Sequence, residues 1–364
     1  MPCVVERSPR GMIRVRRVAI ATLCALLLAG CRFPGQVRPV VKVGLVAPFE
    51  GRYRYVGYDV IYAVRLAVRE VNAAGGIGGY SVELVAYDDG ADPEMAVTQA
   101  LKLGVDPDVM AVIGHFGDET TLAALDSYTS AGLPLVAPGV LSPLTPQGGH
   151  AAYLLAPDAV ALAEALLARV AGDHGARDVV LVSEGDPLGV ALIESAAAHN
   201  LSITLVAPDD PDCLAVTTAA HIVVCDADPV TAGELAAALS AAGWEGILMG
   251  GPPLAAGDFR AVAGNGGTGA VFVTPYPYPL DLPGMDGFVA DYEASGYHVP
   301  PPGPLAVPAY EAAWLLFDAL ERDLAADGVP ARDGMAAALA ELVDIDPALY
   351  WYRIGADGVP ELEP

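Results

Sequence analysis

Lysine and long apolar segments are scarce in this chain of 364 residues. Lysine occurs only at Lys42 and Lys102, and 19 basic residues stand against 45 acidic ones, which gives a net charge of −26. Nucleic acid and anionic membrane surfaces repel so acidic a chain, so both are excluded as partners of the folded part. The longest apolar run is short and lies near the N-terminus, which excludes a polytopic membrane protein.

Sequence signatures of catalysis are also missing. The chain has no G-x-S-x-G elbow, P-loop, H-E-x-x-H or G-x-G-x-x-G after a strand. Its six histidines form no visible pair of base and orienting residue, and no Cys or His spacing resembles a metal site. The glycine-rich stretch at 264–267 is predicted to be a surface loop. We therefore expect no enzymatic activity, no cofactor and no metal.

The N-terminus has the pattern of an export signal. Five arginines precede the apolar run Val18–Leu28, and Leu28-Ala29-Gly30-Cys31 follows at once. This tetrapeptide resembles the bacterial lipobox, which implies that Cys31 is lipidated and that the protein is extracytoplasmic and anchored to the cell membrane. The alternative is an ordinary secretory signal that happens to contain Cys31. Residues 1–30 are predicted as the signal peptide and 31–40 as a tether.

Two cysteines remain in the chain beyond Cys31. Cys3 and Cys24 leave with the signal peptide, whereas Cys213 and Cys225 stay. In an oxidising compartment these two could form a disulfide, and they could equally be buried thiols. Removal of residues 1–30 takes away five of the 19 basic and one of the 45 acidic residues, so the net charge becomes −30.

The stretch from Asp108 to Thr145 indicates a parallel sheet with a ligand-binding edge. Met110–Ile113 is a predicted strand, a helix begins near Asp118, and Leu133–Ala137 is the next strand. If the two strands are parallel, the loops that follow them meet at the carboxyl edge of the sheet, where doubly wound folds bind small ligands. The free N–H groups at the helix start make this edge suitable for a polar ligand group.

Alternating strands and helices recur on both sides of a break at His150–Pro157, which predicts two doubly wound α/β lobes. The first lobe includes a long helix that turns Val60 and Val64 inward and Asp59 to water. Three late helical patterns have no strand between them and are assigned to the first lobe. The predicted lobes are 41–153 plus 276–344 and 154–275 plus 345–364. The predicted crossings lie near Tyr153–Ala156, Val273–Tyr276 and Asp344–Leu349.

Four phrases of the sequence resemble one family. VGLVAPFEG, AVREVNAAGGIGGYSVELVAYDDGADPEMA, VIGHFGDETTLAALD and GLPLVAPGVLSPLT are similar to the branched-chain-amino-acid-type solute-binding proteins of bacterial ABC importers. The phrase at Glu70–Gly79 is highly characteristic, Pro308–Ala312 resembles a late helix of the family, and the resemblance covers about residues 41–355.

This resemblance implies a type I periplasmic binding fold, in which two lobes joined by three hinge crossings close around a ligand. It also implies a monomeric protein that delivers a small polar solute (an amino acid, amide, amine or polyol) to ABC permease subunits. The alternative function is a ligand sensor of the same fold that regulates a partner protein.

The resemblance also indicates where the solute binds. In amino-acid-binding relatives the ligand carboxylate meets Ser or Thr groups and backbone amides, and the ammonium meets a glutamate and aromatic residues of the second lobe. The candidate ligand-binding residues are Asp118, Glu119, Thr121, Val140, Ser142, Asp186, Leu188, Asp228, Tyr276 and Arg54. Weaker candidates are Glu50, Arg52, Tyr55 and His115.

Two departures from the family pattern bear on the ligand. Asp118 stands where relatives carry a serine, and Pro252 stands where they carry the glutamate. An aspartate beside a bound carboxylate is repulsive, so the sequence predicts a cationic or polyhydroxylated solute rather than an ordinary α-amino acid. The alternative is that Asp118, Asp186 and Asp228 only cap the helices that follow them.

Overall fold

A computed structural model describes residues 38–142, 151–296, 298–345 and 347–364. The predicted signal peptide, Cys31 and most of the predicted tether lie outside the described residues. Within the part of the chain that is described, no helix combines the length and the apolar character needed to cross a bilayer.

Twelve strands of the described residues form two sheets. The strands are β1 (Val40–Ala47), β2 (Ser81–Asp88), β3 (Val109–Ile113), β4 (Leu135–Ala137), β5 (Ala152–Leu154), β6 (Asp178–Ser183), β7 (Ser202–Val206), β8 (Ile222–Asp226), β9 (Ile247–Gly250), β10 (Val271–Thr274), β11 (Tyr350–Ile354) and β12 (Pro360–Leu362). The first sheet has the order β2-β1-β3-β4-β5, and the second has the order β12-β11-β10-β9-β8-β6-β7.

Eleven α-helices are found among the described residues. They are α1 (Arg54–Ala73), α2 (Pro93–Val105), α3 (Asp118–Ser130), α4 (Ala159–Gly172), α5 (Pro187–Ser195), α6 (Cys213–Thr218), α7 (Pro229–Ala241), α8 (Gly257–Ala263), α9 (Asp286–Glu293), α10 (Ala306–Asp327) and α11 (Arg332–Leu342). Asp92 caps α2 by accepting from the Met95 N–H at 2.8 Å, and Pro93 lies in the first turn, where a missing N–H costs no helix hydrogen bond.

All strand pairs of the first sheet are parallel, and the second sheet is parallel from β7 to β10. Helices cover both faces, so the central strands are apolar along their whole length rather than alternating. In β6, Val179 and Leu181 pack with α4, whereas Val180 and Val182 pack with α7 and α8 on the other face. The architecture is the predicted pair of doubly wound α/β sheets.

The chain passes between the two sheets three times. It leaves the first sheet after β5, returns after β10 to place α9, α10 and α11 on the first sheet, and re-enters the second sheet at β11. Tyr292, Leu316 and Met335 of these helices are buried in one core with Val43 of β1. The lobe boundaries given above stay a prediction.

Several elements differ from the sequence prediction. The crossing predicted near Tyr153–Ala156 overlaps Ala152–Leu154, which forms β5, the edge strand of the first sheet. Short α6, α8 and β12 were not predicted, because none is long enough to show a periodic pattern. The stretch 264–267 is a 3-10 turn that packs on α7, where a Cβ at Gly266 would lie 2.6 Å from the Ala236 carbonyl oxygen.

Candidate functional site

A cavity of about 930 Å³ lies where the carboxyl edges of the two sheets face each other. Its walls are the loops after β1, β3 and β4 on one side and after β6, β8, β9 and β10 on the other, together with the proline-rich segment 300–304. Loops at the carboxyl ends of parallel strands form the ligand site of doubly wound folds, and a cavity of this size holds a small molecule.

Seven of the ten candidate residues line this cavity. They are Arg54, Asp118, Glu119, Asp186, Leu188, Asp228 and Tyr276. The other three are buried and do not line it. Thr121 donates its hydroxyl to the carbonyls of Gly117 at 2.7 Å and His115 at 3.2 Å, and Val140 packs in the core of the first sheet. Ser142 is buried at the end of the loop after β4.

Asp118 joins two loops of the first wall. It is the first residue of α3, and Gly117 occupies the N-cap position, so Asp118 does not cap its helix as the alternative prediction held. Its Oδ1 atom instead accepts hydrogen bonds from the backbone N–H groups of Leu141, at 3.1 Å, and Ser142. The carboxylate therefore fixes the loop after β4 against the loop after β3.

Asp186 and Asp228 begin helices of the second wall and behave differently. Asp228 caps α7, because its carboxylate accepts from the N–H groups of Val230 at 2.9 Å and Thr231 at 3.2 Å. Burial raises the pKa of Asp228, but the hydrogen bonds from Thr231, Val230 and Arg52 outweigh it and leave the pKa lowered. Asp186 precedes α5 without a side-chain cap bond, and its carboxylate is solvent-accessible at the cavity wall.

Two arginines of the first wall contact the second wall. Arg52 donates from Nη1 to Asp228 Oδ2 at 3.0 Å and to Thr231 Oγ1 at 3.2 Å. Arg54, which begins α1, donates to Asp258 Oδ1 of α8 at 3.3 Å. In both pairs the aspartate lies at the N-terminal end of its helix, α7 for Asp228 and α8 for Asp258, where an acidic side chain stabilises the helix.

Tyrosines supply neutral hydroxyl groups to the cavity. Burial, with additional repulsion from Asp228 and Asp186, raises the pKa of Tyr53 to about 12, so the phenol stays protonated. Tyr276, which follows β10, donates its hydroxyl to the Pro138 carbonyl at the end of β4 and so connects the two walls. Tyr278 contacts Arg260 Nη1 through its hydroxyl at 2.9 Å.

A fully buried chain of polar groups supports the first wall. His115 Nδ1 lies 2.6 Å from Asp89 Oδ2, and its Nε2 lies 2.9 Å from the Tyr128 hydroxyl. All three residues are at most 2% exposed. His115, a weaker ligand-binding candidate, does not line the cavity and is a buried linker between the end of β2 and α3.

Asp59 and Asp226 are two of the cavity carboxylates that the sequence does not predict. Asp59 was expected to face water, yet it is half-buried and accepts from the Gly303 N–H at 3.0 Å, and burial raises its pKa to about 7. Asp226 ends β8 and is 5% exposed. The sequence places Asp226 at the end of a buried apolar strand, which indicates a position at the carboxyl edge of the sheet. The helix-capping pattern at Asp228 is the stronger local signal, so the prediction names Asp228 instead.

Cys213 and Cys225 are both buried and both free thiols. Of the two alternatives that the sequence allows, a disulfide or two buried thiols, the structure has the second. Burial raises the pKa of the Cys225 thiol. Over the described ranges, no group of three or more His, Cys, Asp and Glu side chains could hold a metal ion.

Residues 40–361 match the family model described as periplasmic binding protein, so the chain belongs to this family. The Leu/Ile/Val-binding protein homolog 2 of Brucella abortus is 36% identical over 121 residues, which are 33% of this chain and 31% of the relative. The leucine-specific-binding protein of Salmonella typhimurium is 32% identical over 139 residues, 38% of this chain and 36% of the relative. The matched part thus spans about a third of the length of these curated relatives.

Solved structures of binding proteins share the fold. A leucine binding protein from Thermotoga maritima is 19% identical with a TM-score of 0.77, covering 89% of this chain and 98% of the other. A branched-chain amino acid transporter substrate binding protein from Streptococcus pneumoniae, in complex with isoleucine, has the same identity and TM-score and covers 89% and 99%. The fold is therefore that of type I periplasmic binding proteins, and these relatives and neighbours are binding proteins rather than enzymes. The family membership supports a solute-binding role outside the cytoplasm.

Proposed function

We propose that this protein is the solute-binding component of an ABC importer, and that it delivers a small polar solute to permease subunits. The observation that carries the proposal is the cavity of about 930 Å³ between the two sheets, lined from both sides by polar and aromatic side chains. The names of the curated relatives and the isoleucine complex of a structural neighbour support the same role. The ligand-binding residues proposed are the seven predicted residues that line the cavity, together with Asp59, Asp226 and Tyr278.

The solute enters when the two lobes rotate apart at their three crossings, and closure traps it. The lobes are those predicted from the sequence, 41–153 plus 276–344 and 154–275 plus 345–364. A lipid on Cys31 holds the protein, as a monomer, at the outer face of the membrane beside the permease.

A ligand screen tests the binding role. Thermal unfolding is followed with amino acids, amides, amines, polyols and aromatic acids, because a ligand at a hundred times its Kd stabilises the folded state by about 2.7 kcal/mol. The Gly257→Trp variant is expected to lose the shift, since Gly257 lines the cavity and an added Cβ there meets only Arg260 Nη2 at 3.9 Å. Gly287→Trp, outside the cavity and with nothing within 4 Å of the added Cβ, is the matched control.

Transport is tested by deleting the protein from its source cell and measuring uptake of the identified solute. Loss of uptake supports the importer role. Unchanged uptake with a changed response of a partner protein would favour the sensor function instead.

A further inference from the structure

The cavity carries far more negative than positive charge. Among the described residues, ten acidic residues and two arginines, Arg54 and Arg260, line it. Asp118 and Asp226 accept hydrogen bonds only from uncharged donors of the protein. Five other acidic residues form the pairs Asp59 with the Gly303 N–H, Asp89 with His115, Asp228 with Arg52, Asp258 with Arg54, and Asp281 with the Tyr352 hydroxyl.

Four of the remaining carboxylates form one group, which we call the acidic cluster: Asp118, Glu119, Asp186 and Asp226. Among the described residues, no Lys, Arg or His nitrogen lies within 4 Å of any of them. Asp118 and Glu119 belong to the first wall, whereas Asp186 and Asp226 belong to the second. The cluster thus spans the cleft.

The carboxylates of the two walls act on each other. The cavity wall partly desolvates Asp186 and raises its pKa, and the charges of Glu184, Glu119, Asp118 and Asp228 raise it further. Two of these four neighbours lie on the opposite wall. Closure of the cleft therefore brings like charges together with no cation of the described protein between them.

Asp226 is the member of the acidic cluster whose hydrogen bonds leave one oxygen for a ligand. Its side chain is 5% exposed and lines the cavity. Both hydrogen bonds that it accepts, from the Gly189 N–H at 2.7 Å and the Ser183 hydroxyl at 3.2 Å, go to Oδ2. Oδ1 accepts no hydrogen bond from the part of the chain that the structure describes, so this oxygen is left for a donor in the cavity.

We propose that the acidic cluster binds a protonated amine of the solute, with Asp226 and Asp186 as its acceptors on the second wall, and that the solute has no carboxylate beside that amine. This inference rests on the proposed solute-binding function. An ammonium has three N–H donors and one positive charge, so it can satisfy Asp226 Oδ1, reach Asp186, and neutralise the repulsion across the cleft. A neighbouring carboxylate on the solute would be repelled by Asp118 and Glu119.

The test compares amino acids with the amines that remain when their carboxylate is removed, because the two members of each pair differ only in that carboxylate. Calorimetry compares 3-methylbutylamine with leucine, 2-phenylethylamine with phenylalanine, and 1,4-diaminobutane with ornithine, with sorbitol and benzoate as members without an amine. At least one amine is expected to bind at least tenfold more tightly than its parent amino acid. Equal or tighter binding of the amino acid, or binding of sorbitol or benzoate alone, overturns the inference while leaving the solute-binding function intact. Absence of binding by every compound counts against both.

Variants then locate the amine. Asp186→Asn and Asp226→Asn are each expected to weaken the amine at least tenfold, since the amide keeps the shape and removes the charge. An Asn oxygen can still accept from Gly189 and Ser183, so the fold is retained. Asp212→Asn is the control, because Asp212 is exposed, makes no cap bond and lies outside the cavity. Amine affinity that is the same in all three variants overturns the assignment of these residues.

Discussion

Arg52 of the first wall and Asp228 of the second wall are joined by a hydrogen-bonded ion pair of 3.0 Å, although 176 positions separate them in the chain. The arginine side chain is 63% exposed and the aspartate 12%. The same aspartate caps α7, so one carboxylate serves both the helix and the contact between lobes. Arg54 and Asp258 form a second ion pair between the two walls, at 3.3 Å.

Replacing both arginines should open the ligand-free protein. An exposed ion pair contributes about 0.2–1 kcal/mol, which is enough to change the balance between open and closed forms that differ by little. The Arg52→Gln, Arg54→Gln double variant is expected to have a larger radius of gyration by small-angle scattering without ligand, and to bind its ligand about two- to tenfold more weakly. Arg322→Gln is the control, because Arg322 of α10 pairs with Glu341 of α11. Both helices pack on the first sheet, so this pair does not join the two walls. Unchanged radius and unchanged affinity would show that the pairs do not govern closure.

Lipid attachment at Cys31 has a simple test. Cys31→Ala should move the protein from the membrane fraction to the soluble fraction, because the remaining chain is strongly acidic and has no affinity for anionic lipid. Ligand binding and the melting temperature should not change, since Cys31 precedes both sheets. Mass spectrometry of the unmodified protein provides the decisive measurement, and a Cys31 that carries no acyl chain would refute the lipobox interpretation.

Arg332 ties the first sheet to the ends of two helices. Its guanidinium donates to the carbonyls of Val109, Gly104, Ala131 and Asp106, which belong to β3 and to the C-terminal ends of α2 and α3. Arg332→Met should lower the free energy of unfolding by about 2–4 kcal/mol, because these carbonyls lose a charged donor. Arg332→Lys should recover part of the loss.

Urea unfolding measures this effect as a lower midpoint at constant slope. Arg322→Met serves as the control, since its exposed pair with Glu341 at 3.5 Å should contribute less than about 0.5 kcal/mol. A midpoint that moves equally little in Arg332→Met and the control would mean that water replaces the guanidinium without loss.

The sequence predicts most of the fold because its signals are local. The predicted strand Met110–Ile113 is β3, Val109–Ile113, and the helix predicted to begin near Asp118 is α3, which begins at Asp118, since these apolar patterns end at turn residues. The site is predicted less well. Asp226 depends on an N–H group 37 positions away, and Asp59 on one 244 positions away, so their burial follows from tertiary packing that no local pattern reveals.

These two buried carboxylates make stability depend on pH. Burial, with repulsion from Asp186, raises the pKa of Asp226 to about 6, and burial raises that of Asp59 to about 7, against an ordinary value of 3.8. For these two groups the folded state therefore binds more protons than the unfolded state between about pH 4 and 7, so their contribution to stability falls as the pH rises through this window. For Asp226 the full effect is up to about 3 kcal/mol, from about 1.4 kcal/mol per pKa unit.

The ligand-free protein should thus melt at a higher temperature at pH 5 than at pH 8. Asp226→Asn and Asp59→Asn should each flatten this dependence and melt higher than the unmodified protein at pH 8, because the amide is neutral throughout. The carboxylates with lowered pKa values, such as Asp106, Asp228 and Glu363, titrate below this window and do not contribute to it. Asp212→Asn removes one surface charge and controls for the general repulsion of an acidic chain. If the two cavity variants keep the same slope as Asp212→Asn between pH 5 and 8, then neither Asp226 nor Asp59 holds a proton in the folded state at these pH values, and the acidic cleft is better hydrated than its burial indicates.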